Sequence, residues 1–477
     1  MDNFKIKYNL DRSLNEIENR ALNIVSLLQD KGFETYFAGG AVRDMLLNQK
    51  IHDVDIATAA KPEEIEKLFP GCESRGKSFG VMVIKAGDLE FEVATFRTDI
   101  GTTDHRRPEK VEFSSAKEDA KRRDFTVNGL FFDPVKNELL DYVGGLKDLQ
   151  GKTIRLIGDA QVRIEEDYLR LIRAVRFAAK LKFEIEKETF ENIFQNADKI
   201  TSVSKERLRD ELSKILLDES RQEGLKLLAK TGLLKVLLPE LEETKNVAQP
   251  PEFHSEGDVW THTLLALKNI NNQLRQLADG GPTEELVWAV LLHDIGKPET
   301  RGFRSTIGKA NITFFDHDVR SAEKAKEILS RLRFSHTFVS KVVWAISQHM
   351  RIVNAFRGMS ERKQKKLFSD ENIQLLIDLT FSDLSASLRP NGYPEMDLYE
   401  DAVALKEKFA KEMLAEEKNQ MKKFDLITGE DIMELLKISR GPEVGKIKNK
   451  IEKAYLDGLI NSRSEALQMI EDLKKEA

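Results

Sequence analysis

The sequence has almost no cysteine and no long hydrophobic segment. Cys72 is the single cysteine among 477 residues, which excludes an internal disulfide framework and any zinc site built from several cysteines. Its hydrophobic runs stay well below the roughly 20 residues that a membrane-spanning helix needs. The first residues also lack the basic-then-apolar order of a secretion signal. These absences predict a cytoplasmic protein without a membrane partner.

The overall charge of the chain says little about its ligands. Lysine and arginine total 75 against 81 acidic residues, which gives a formal net charge of −6. This balance does not favour nucleic-acid binding through overall charge, although it is compatible with a local basic surface. At 477 residues the chain exceeds one ordinary hydrophobic core, so two to four domains are expected.

The hydrophobic pattern changes near residue 150. Before it, short β-rich runs such as GVMVIKAG and LEFEVATF alternate with turns and helical segments. After GGLKDLQGKTIRLIG the hydrophobic period lengthens to between three and four residues, which indicates helices. The sequence therefore predicts an α+β head with a small mixed β-sheet, followed by all-α domains. The expected division is a head at 1–150, a neck at 151–248, a third domain at 249–404 and a tail at 405–477.

Two aspartates lie one residue apart in HDVDIAT, within a predicted strand. Asp53 and Asp55 would share one face of that strand while Val54 and Ile56 face the core. Two such carboxylates repel each other unless a cation lies between them, and Mg²⁺ prefers a few carboxylates together with phosphate oxygens. Taken alone, the pair is more typical of two exposed aspartates. Glu92 in LEFEVATF adds a candidate third carboxylate.

Further polar motifs surround this pair in the sequence. Gly39 and Gly40 lie between a predicted strand and a predicted helix, where free amides and the helix dipole favour phosphate oxygens. Asp124 follows two arginines in KRRDFTVNG. Asp167 and Arg170 are three residues apart, which predicts a shared helix face and, in isolation, an ordinary ion pair. Acidic metal ligands beside a phosphate-binding turn are what phosphoryl transfer requires.

Four motifs occur in a fixed order in the first half of the chain: GGAVRD…HDVDIAT, RRDFTVNGLFFD, EEDYLRLIRAVRFAAKL and ERLRDELSKIL. In this order they resemble the bacterial-type (class II) CCA-adding tRNA nucleotidyltransferases and their poly(A) polymerase relatives, over roughly residues 20–240. The resemblance implies a sheet-containing head that holds metal and triphosphate, and helical neck, body and tail domains that hold tRNA. It also implies Mg²⁺ as cofactor and tRNA, ATP and CTP as partners, with no role for DNA.

The resemblance assigns a role to each matching residue. Asp53 and Asp55 would bind the catalytic Mg²⁺, and Glu92 would be a further carboxylate near the primer hydroxyl. The residues that would bind the nucleotide are Gly39, Gly40 and Arg43 at the triphosphate, Arg123 and Asp124 at the nucleotide and its ribose, Asp167 and Arg170 at the base, and Arg173 and Arg176.

An aspartate and an arginine can together select nucleobases. Cytosine and adenine both present an amino donor beside a ring-nitrogen acceptor, so Asp167 can accept from the amino group while Arg170 donates to the ring. Uracil and guanine present the reversed pattern and would leave buried polar groups unpaired. Such a pair can therefore admit CTP and ATP and reject UTP and GTP without a nucleic-acid template.

The segment TDIGTTDHRRPEKVEF, residues 98–113, contains Gly101, threonines and a basic cluster, which suggest a mobile loop. In the family, a loop at this place helps the enzyme to change from C addition to A addition. An ordinary hairpin loop fits the sequence equally well. The segment favours full CCA addition over CC-only addition, and A-only addition, CC-only addition and poly(A) synthesis stay as alternatives.

Six of the eight histidines follow residue 250. Histidines and aspartates on several predicted helices suit Mn²⁺, Fe, Ni²⁺ or Mg²⁺ better than a cysteine-type zinc site. Residues 255–400 resemble the HD superfamily of metal-dependent phosphohydrolases, whose six positions are filled by His262, His293, Asp294, His317, His349 and Asp383.

The resemblance to the HD superfamily implies an intact metal site and 2′,3′-cyclic phosphodiesterase or phosphatase activity. The alternative is a degenerate HD domain that serves only to bind tRNA. An interpretation from another functional class makes the whole chain a metal-dependent RNA phosphohydrolase whose head only binds RNA.

Overall fold

The computed structural model describes most of the chain and divides it into two compact units. The described residues are 4–8, 13–75, 80–102, 108–270, 281–306, 309–356, 358–423 and 427–476. One unit comprises Met1–Met350 and Asp378–Glu395, and the other comprises Arg351–Ile377 and Met396–Ala477. The four-domain division expected from the sequence stays a prediction.

The strands lie mainly before residue 142. In chain order over the described residues they are β1 (Lys5–Lys7), β2 (Thr35–Ala38), β3 (Asp55–Thr58), β4 (Glu73–Ser74), β5 (Val81–Ala86), β6 (Leu89–Thr95), β7 (Arg97–Thr102), β8 (Pro108–Phe113), β9 (Leu130–Asp133), β10 (Glu138–Asp141), β11 (Thr153–Ile154), β12 (Glu184–Ile185), β13 (Arg301–Thr306) and β14 (Lys309–Phe314).

Eight of these strands form one mixed sheet in the order β1-β10-β9-β2-β3-β6-β5-β4. Strands β3 and β6 are parallel, and the other neighbours are antiparallel. The central strand β2 is buried throughout, and its alternate side chains enter two different cores. Phe37 packs in one hydrophobic cluster, and Tyr36 and Ala38 pack in the other. The predicted mixed sheet of an α+β head is confirmed.

Helices flank this sheet and make up most of the chain after it. Before residue 250 the α-helices are Glu16–Asp30, Gly40–Leu46, Pro62–Leu68, Ala116–Arg122, Gly145–Gln150, Ala160–Glu166, Leu169–Leu181, Lys187–Gln195, Lys205–Leu217, Arg221–Lys230, Leu233–Leu237 and Pro239–Glu242, with 3₁₀ turns at Thr126–Asn128 and Ala197–Ser202. The first helix was expected over residues 10–30. It begins at Glu16 because Asn15 and Glu18 form a capping box, and residues 9–12 lie outside the described part.

After residue 250 the described helices are Val259–Asn269, Glu284–Leu292, Lys297–Thr300, His317–Arg331, His336–Ala355, Glu361–Phe368, Ile373–Ala386, Asp397–Lys423, Gly429–Leu436, Pro442–Leu456 and Arg463–Glu476. The expectation of purely helical structure after residue 150 was wrong in two places. Strands β11 and β12 pair in parallel over two residues each, and β13 and β14 form an antiparallel hairpin. The strand KANITF alternates polar and apolar residues, whereas RGFRST has a single large apolar residue, Phe303. Over the described residues, no helix has the length and apolar character needed to cross a membrane.

A buried arginine joins helices on both sides of residue 250. Arg221 is fully buried, and its guanidinium donates to the main-chain carbonyls of Leu216 (2.6 Å), Leu217 (3.3 Å) and Leu267 (3.3 Å). Burial lowers the pKa of Arg221 to about 10, while Asp218 opposes this shift. The accepting carbonyls lie in the last turns of two helices, where main-chain oxygens have no partner within the helix. The arginine therefore donates hydrogen bonds to main-chain carbonyls at the ends of both helices.

Candidate functional site

The pairing of the central strands brings the predicted acidic residues to one end of the sheet. Ala38 pairs with Asp55 across β2 and β3, so Gly39 follows at the same edge. Strand β3 runs parallel to β6 with Ile56 opposite Val93, which places Glu92 beside Asp55.

The alternation predicted from the sequence is confirmed around the two aspartates. Val54 and Ile56 are buried, whereas Asp53 and Asp55 are exposed. The strand begins at Asp55, so Asp53 lies just before it and not within it as predicted. In β6, Glu92 is exposed between two buried neighbours, as expected.

The electrostatics around Asp55 fit a divalent cation. Surrounding protein atoms partly desolvate its carboxylate and, with repulsion from Asp53, raise the pKa of Asp55 to about 6; Arg123 opposes the rise and Glu92 adds to it. A carboxylate whose charge is disfavoured by its neighbours gains most when a cation is bound. Asp53, Asp55 and Glu92 offer carboxylate oxygens, the ligand type that Mg²⁺ prefers, and Glu92 also pairs with Arg75 at 3.3 Å. Among the described residues, these three carboxylates are not one of the compact groups whose ligand atoms lie within 4.8 Å of one another.

Gly39 keeps the space beside Asp55 open. It has a φ of 65° and precedes the helix Gly40–Leu46, in agreement with the sequence prediction. A Cβ at this position would lie 2.8 Å from Nη1 of Arg123 and 3.8 Å from Oδ2 of Asp55. A side chain would therefore be strained and would displace the arginine, whereas glycine leaves room for a ligand to approach the backbone.

Arg123 and Asp124, adjacent in sequence, have different partners. Arg123 donates to Asp119 (Nε–Oδ2 3.1 Å), and its guanidinium lies 4.9 Å from the ring centroid of Phe131. Asp124 accepts two hydrogen bonds from Arg173 through one oxygen, at 2.9 and 2.6 Å. Burial alone would raise the pKa of Asp124, but the charge of Arg173 and the hydrogen bonds to this carboxylate lower it overall. Asp124 is therefore held ionised.

Three predicted arginines surround one aromatic ring. The guanidinium carbons of Arg43, Arg173 and Arg176 lie 5.3, 5.4 and 4.3 Å from the ring centroid of Phe177. Arg176 also pairs with Glu211, at 2.7 Å. Phe177 was not predicted to be part of the site, although its position four residues after Arg173 on a helix was a usable signal. The ring offers its negative face to like charges that would otherwise repel one another.

The prediction that Asp167 and Arg170 share one helix face is wrong. Asp167 has an extended conformation and ends the helix Ala160–Glu166, and the next helix begins at Leu169. Both Asp167 oxygens accept from Arg207, at 3.1 and 2.7 Å. Arg170 instead donates to Glu166 (2.9 Å) and to the carbonyl of Arg163. The helix break explains why the spacing rule failed here.

A cavity of about 900 Å³ collects these side chains. Its basic lining residues are Arg43, Lys121, Arg122, Arg123, Arg163, Arg170, Arg173, Arg176, Lys180 and Arg207, and its acidic ones are Asp55, Glu92, Glu118, Asp124, Glu166 and Asp167. Gly39 and Gly40 also line it, whereas Asp53 does not. A chain with a net charge of −6 thus has a cavity in which cations predominate. Arg207 belongs to the ERLRDELSKIL motif, for which no residue role was predicted.

The segment 98–113 forms strands β7 and β8, which pair as a hairpin. Thr98 contributes to the cavity lining. Most of the segment expected to be a mobile loop is therefore strand, as the alternative of an ordinary hairpin predicted, and only residues 103–107 lie outside the described residues. Its role in changing from C to A addition stays a prediction.

All six histidines and aspartates predicted for the second site come together. His262, His293 and Asp383 form one group, and Asp294, His317 and His349 form another; in each, the candidate ligand atoms lie within 4.8 Å of one another. Nε2 of His262 is 3.1 Å from Asp383, and Nε2 of His293 is 3.2 Å from Asp294. The groups meet at a buried centre.

The outer nitrogen of each histidine is held by a fixed acceptor. Nδ1 of His293, His317 and His349 donates to a main-chain carbonyl at 2.9, 2.8 and 2.6 Å. Nδ1 of His262 lies 2.8 Å from Glu256. This arrangement turns every Nε2 toward the centre, as in proteins whose histidines bind a metal.

The inner nitrogens of His317 and His349 carry no proton and fit a cation. Nε2 of His317 and Nε2 of His349 are 3.2 Å apart, although both rings place their proton on Nδ1. Burial lowers the pKa of His317 to about 4 and also lowers that of His349, so both rings are neutral. Two facing lone pairs repel unless a metal ion binds between them. The buried donor set of imidazoles and carboxylates therefore suits a divalent metal.

Two residues of this centre were missed in the sequence. His254 and Glu256 join His262 in a third group of candidate ligands. Burial would raise the pKa of Glu256, but hydrogen bonds from His254 and His262 lower it to about 2. The short spacing in HSEGDVWTH was the available signal. Glu256 acts here as the partner that orients His262.

We expect that Asp55→Asn raises the melting temperature of the metal-free protein at pH 7.5. The folded-state pKa of Asp55 is raised to about 6, so its charge destabilises the fold above that pH, and the penalty is relieved as the pH falls toward the unfolded value of 3.8. The gain should therefore shrink at pH 5. Differential scanning calorimetry of both proteins at both pH values measures it. Equal melting temperatures at pH 7.5 would contradict this account.

We expect that Mn²⁺ added to metal-free protein raises the melting temperature by binding at the histidine centre. Asp294→Asn should remove the shift, whereas His336→Ala, at an exposed histidine outside the centre, should keep it. The experiment uses an Asp53→Ala background to limit binding at the first site. The shift should grow with rising pH, because the metal displaces protons held by His262 and His293. A shift that survives in Asp294→Asn would place the metal elsewhere.

Three family models match successive parts of the chain. A poly A polymerase head domain matches residues 35–155. A model described as the probable RNA and SrmB-binding site of polymerase A matches residues 182–245. An HD domain matches residues 259–384.

Over the aligned residues, curated relatives are about two fifths identical to this chain. A CCA-adding enzyme of Lactobacillus johnsonii is 38% identical over 267 residues, which cover 55% of this chain and 67% of the relative. A CCA-adding enzyme of Streptococcus thermophilus is 41% identical over 261 residues, 53% of this chain and 64% of the relative. The chain thus spans about two thirds of the length of these relatives.

Solved structures show the same fold. A Bacillus stearothermophilus CCA-adding enzyme in complex with CTP aligns over 97% of this chain and 100% of its own, with a TM-score of 0.57 and 25% identity. A Thermotoga maritima CCA-adding enzyme complexed with tRNA aligns over 98% of both chains, with a TM-score of 0.53 and 20% identity.

Proposed function

This chain belongs to the family of CCA-adding enzymes, and we propose that it adds C, C and A to tRNA 3′ ends from CTP and ATP without a nucleic-acid template. The cavity supports this proposal, because carboxylates suited to Mg²⁺ and a cluster of arginines line the same space. The primer 3′-hydroxyl attacks the α-phosphate of the nucleotide, and pyrophosphate leaves. A cytoplasmic location, where tRNA substrates and both nucleotides are available, is part of the proposal.

Different residues of the chain would hold the metal and attract the triphosphate of the nucleotide. Asp53, Asp55 and Glu92 would hold Mg²⁺, which when bound polarises phosphate oxygens and favours ionisation of the primer hydroxyl. The cationic cluster around Phe177 attracts the triphosphate by charge. The backbone at Gly39 can approach the phosphates because no side chain intervenes.

Base selection is assigned to Asp167 and Arg170, and their present partners add a condition. Both Asp167 oxygens are engaged by Arg207, and Arg170 is engaged by Glu166. Each carboxylate oxygen can accept more than one hydrogen bond, so a cytosine or adenine amino group can donate to Asp167 while the pair with Arg207 is kept. The condition is therefore that the base approaches Asp167 from the side that Arg207 leaves open.

The proposal is tested with tRNA that lacks CCA, given one nucleotide at a time and then both. We expect two additions with CTP alone and a completed CCA end with CTP and ATP together, resolved on a sequencing gel. Addition that halts after two C residues even with ATP present would identify a CC-adding enzyme. Incorporation of ATP only onto tRNA ending in CC would identify an A-adding enzyme, and long A tracts would identify a poly(A) polymerase.

We expect that Arg170→Ala weakens selection between nucleotides more than it weakens metal binding. Arg170→Ala removes the hydrogen-bond donor to the ring nitrogen of the base. Discrimination against UTP and GTP should therefore fall by roughly 10- to 100-fold, which corresponds to the free energy of one buried hydrogen-bonded pair. Ratios of kcat/KM for single-nucleotide addition measure the change. Arg209→Ala is the control, because Arg209 pairs with Asp210 and does not line the cavity. Unchanged discrimination in Arg170→Ala would refute the base-reading assignment.

The histidine centre supports a second proposed activity. We propose that it is a metal-dependent phosphohydrolase that opens 2′,3′-cyclic phosphates or removes phosphate from RNA ends. The observation that favours this is the buried set of imidazole nitrogens aimed at one point with their outer nitrogens anchored. Mn²⁺, Ni²⁺, Fe or Mg²⁺ would fit the donors, and the bound metal would supply an activated water at neutral pH.

Two variants should separate the activities. Asp53→Ala should abolish nucleotide addition and leave hydrolysis of a cyclic phosphate intact, because only the first site loses a metal ligand. His293→Ala or Asp294→Ala should have the opposite effect. Both reactions are measured on the same preparations, with circular dichroism as a check on folding. Loss of addition in a folded Asp294→Ala protein would mean that the HD domain serves tRNA binding.

A further inference from the structure

A hairpin connects the two parts of the histidine centre and carries an exposed aromatic side chain. Strands β13 and β14 lie between Asp294 and His317 in the chain. Phe303 in β13 is 68% exposed, which is unusual for a large aromatic ring. The guanidinium of Arg301 lies 5.5 Å from the centroid of that ring. Over the described residues, Arg301 makes no ion pair with a carboxylate, so its charge is available to a ligand.

The pairing register shows which residues lie on the same side of the hairpin. Arg301 pairs with Phe314, and Phe303 pairs with Ile312. Paired residues and alternate residues along a strand share a face. We call these four residues, Arg301, Phe303, Ile312 and Phe314, the stacking face. Arg304 falls on the opposite face.

The stacking face ends at the histidine centre. The carbonyl of Phe314 accepts from Nδ1 of His317 at 2.8 Å. The ring of Phe314 lies 5.5 Å from Nζ of Lys297, which is 2.6 Å from Oδ2 of Asp294. A ligand lying along the stacking face would therefore lead from an exposed aromatic ring to the buried candidate metal ligands.

A second stack of the same kind adjoins the centre from another segment. Phe253 is 52% exposed, and the guanidinium of Arg389 lies 4.6 Å from its ring centroid. Ser255 donates to the carbonyl of Arg389 at 2.8 Å. The neighbouring Glu256 holds His262 and also accepts from the backbone of Leu388. Arg389 is partly neutralised by Glu395 at 2.6 Å, so Arg301 is the stronger candidate for binding an anion.

We propose that the stacking face binds an unpaired nucleotide at the end of an RNA strand and directs the terminal phosphate toward the histidine centre. The proposal rests on the proposed phosphohydrolase activity and names its substrate class. An exposed ring with an arginine beside it is the arrangement that holds a single-stranded base by stacking and its phosphate by charge. The stack at Phe253 and Arg389 would hold a second nucleotide.

The test compares two substrates of the full-length protein with Mn²⁺. One is a six-nucleotide RNA ending in a 2′,3′-cyclic phosphate, and the other is glycerol 1,2-cyclic phosphate, which has neither a base nor another aromatic ring. Phe303→Ala should lower kcat/KM for the RNA by about 10-fold, as expected for one lost stack, and leave the small substrate unchanged. Phe303→Tyr should retain the wild-type rate on RNA. Equal rates on RNA for wild type and Phe303→Ala, or an equal loss on both substrates, would overturn the proposal.

A matched pair of charge variants tests the position of the RNA. Arg301→Ala should lower kcat/KM for the RNA, while Arg304→Ala, which removes the same charge from the opposite face, should have little effect. Equal losses in the two variants would indicate attraction by net charge alone and overturn the assignment to the stacking face.

Failure of the hydrolase proposal can be recognised separately. If the wild-type protein with Mn²⁺ cleaves neither substrate, the phosphohydrolase proposal fails, and photo-crosslinking then tests the binding face. An RNA with 4-thiouridine as its terminal nucleotide should crosslink within residues 301–314, and Phe303→Ala should abolish the crosslink. Crosslinks found only elsewhere, or a change of oligomeric state in Phe303→Ala without a change in RNA crosslinking, would overturn the proposal.

Discussion

The ion pair between Asp124 and Arg173 is the contact on which the cavity depends. Asp124 follows a helix of the head, whereas Arg173 belongs to the helix Leu169–Leu181. The carboxylates of the sheet edge come from the head, and five of the eight arginines that line the cavity follow residue 150. Asp124 is largely buried and its charge is stabilised by Arg173, so loss of Arg173 would leave a carboxylate without its cation, which costs far more than the pair itself contributes.

The cavity brings positively charged side chains together, whereas the histidine centre brings carboxylates and nitrogen lone pairs together. In the cavity, arginines of like charge are crowded around Phe177, and acidic partners such as Glu211 keep them in place until an anion can bind. At the histidine centre, lone pairs and carboxylates are crowded around a point that suits a cation. Each site is therefore an arrangement of repelling groups whose repulsion is relieved by its ligand. The surrounding fold has to hold these groups together in the ligand's absence.

The sequence predicts those parts of the sites that depend on local periodicity. Strand alternation identified Asp55 and Glu92, and the resemblance to the HD superfamily pattern identified all six histidines and aspartates of the second site. Features set by tertiary packing were not predictable: the break at Asp167 that separates it from Arg170, and the pairing of Asp167 with Arg207, forty residues away. Glu256 was missed because its role depends on the position of His262 in the folded chain. The register that brings Glu92 beside Asp55 likewise involves strands far apart in sequence.

The burial of Arg221 has a consequence for how such a chain can change over time. Sequence families treat the segments ending at 245 and beginning at 259 as separate modules. Arg221 nevertheless takes a carbonyl partner from Leu267, and the buried Trp288 donates to Ser213 at 3.0 Å. Replacing one module by that of another protein would remove hydrogen-bond acceptors from the buried guanidinium of Arg221 and the indole N–H of Trp288. The two segments are thus expected to be inherited and exchanged together, as one module and not as two.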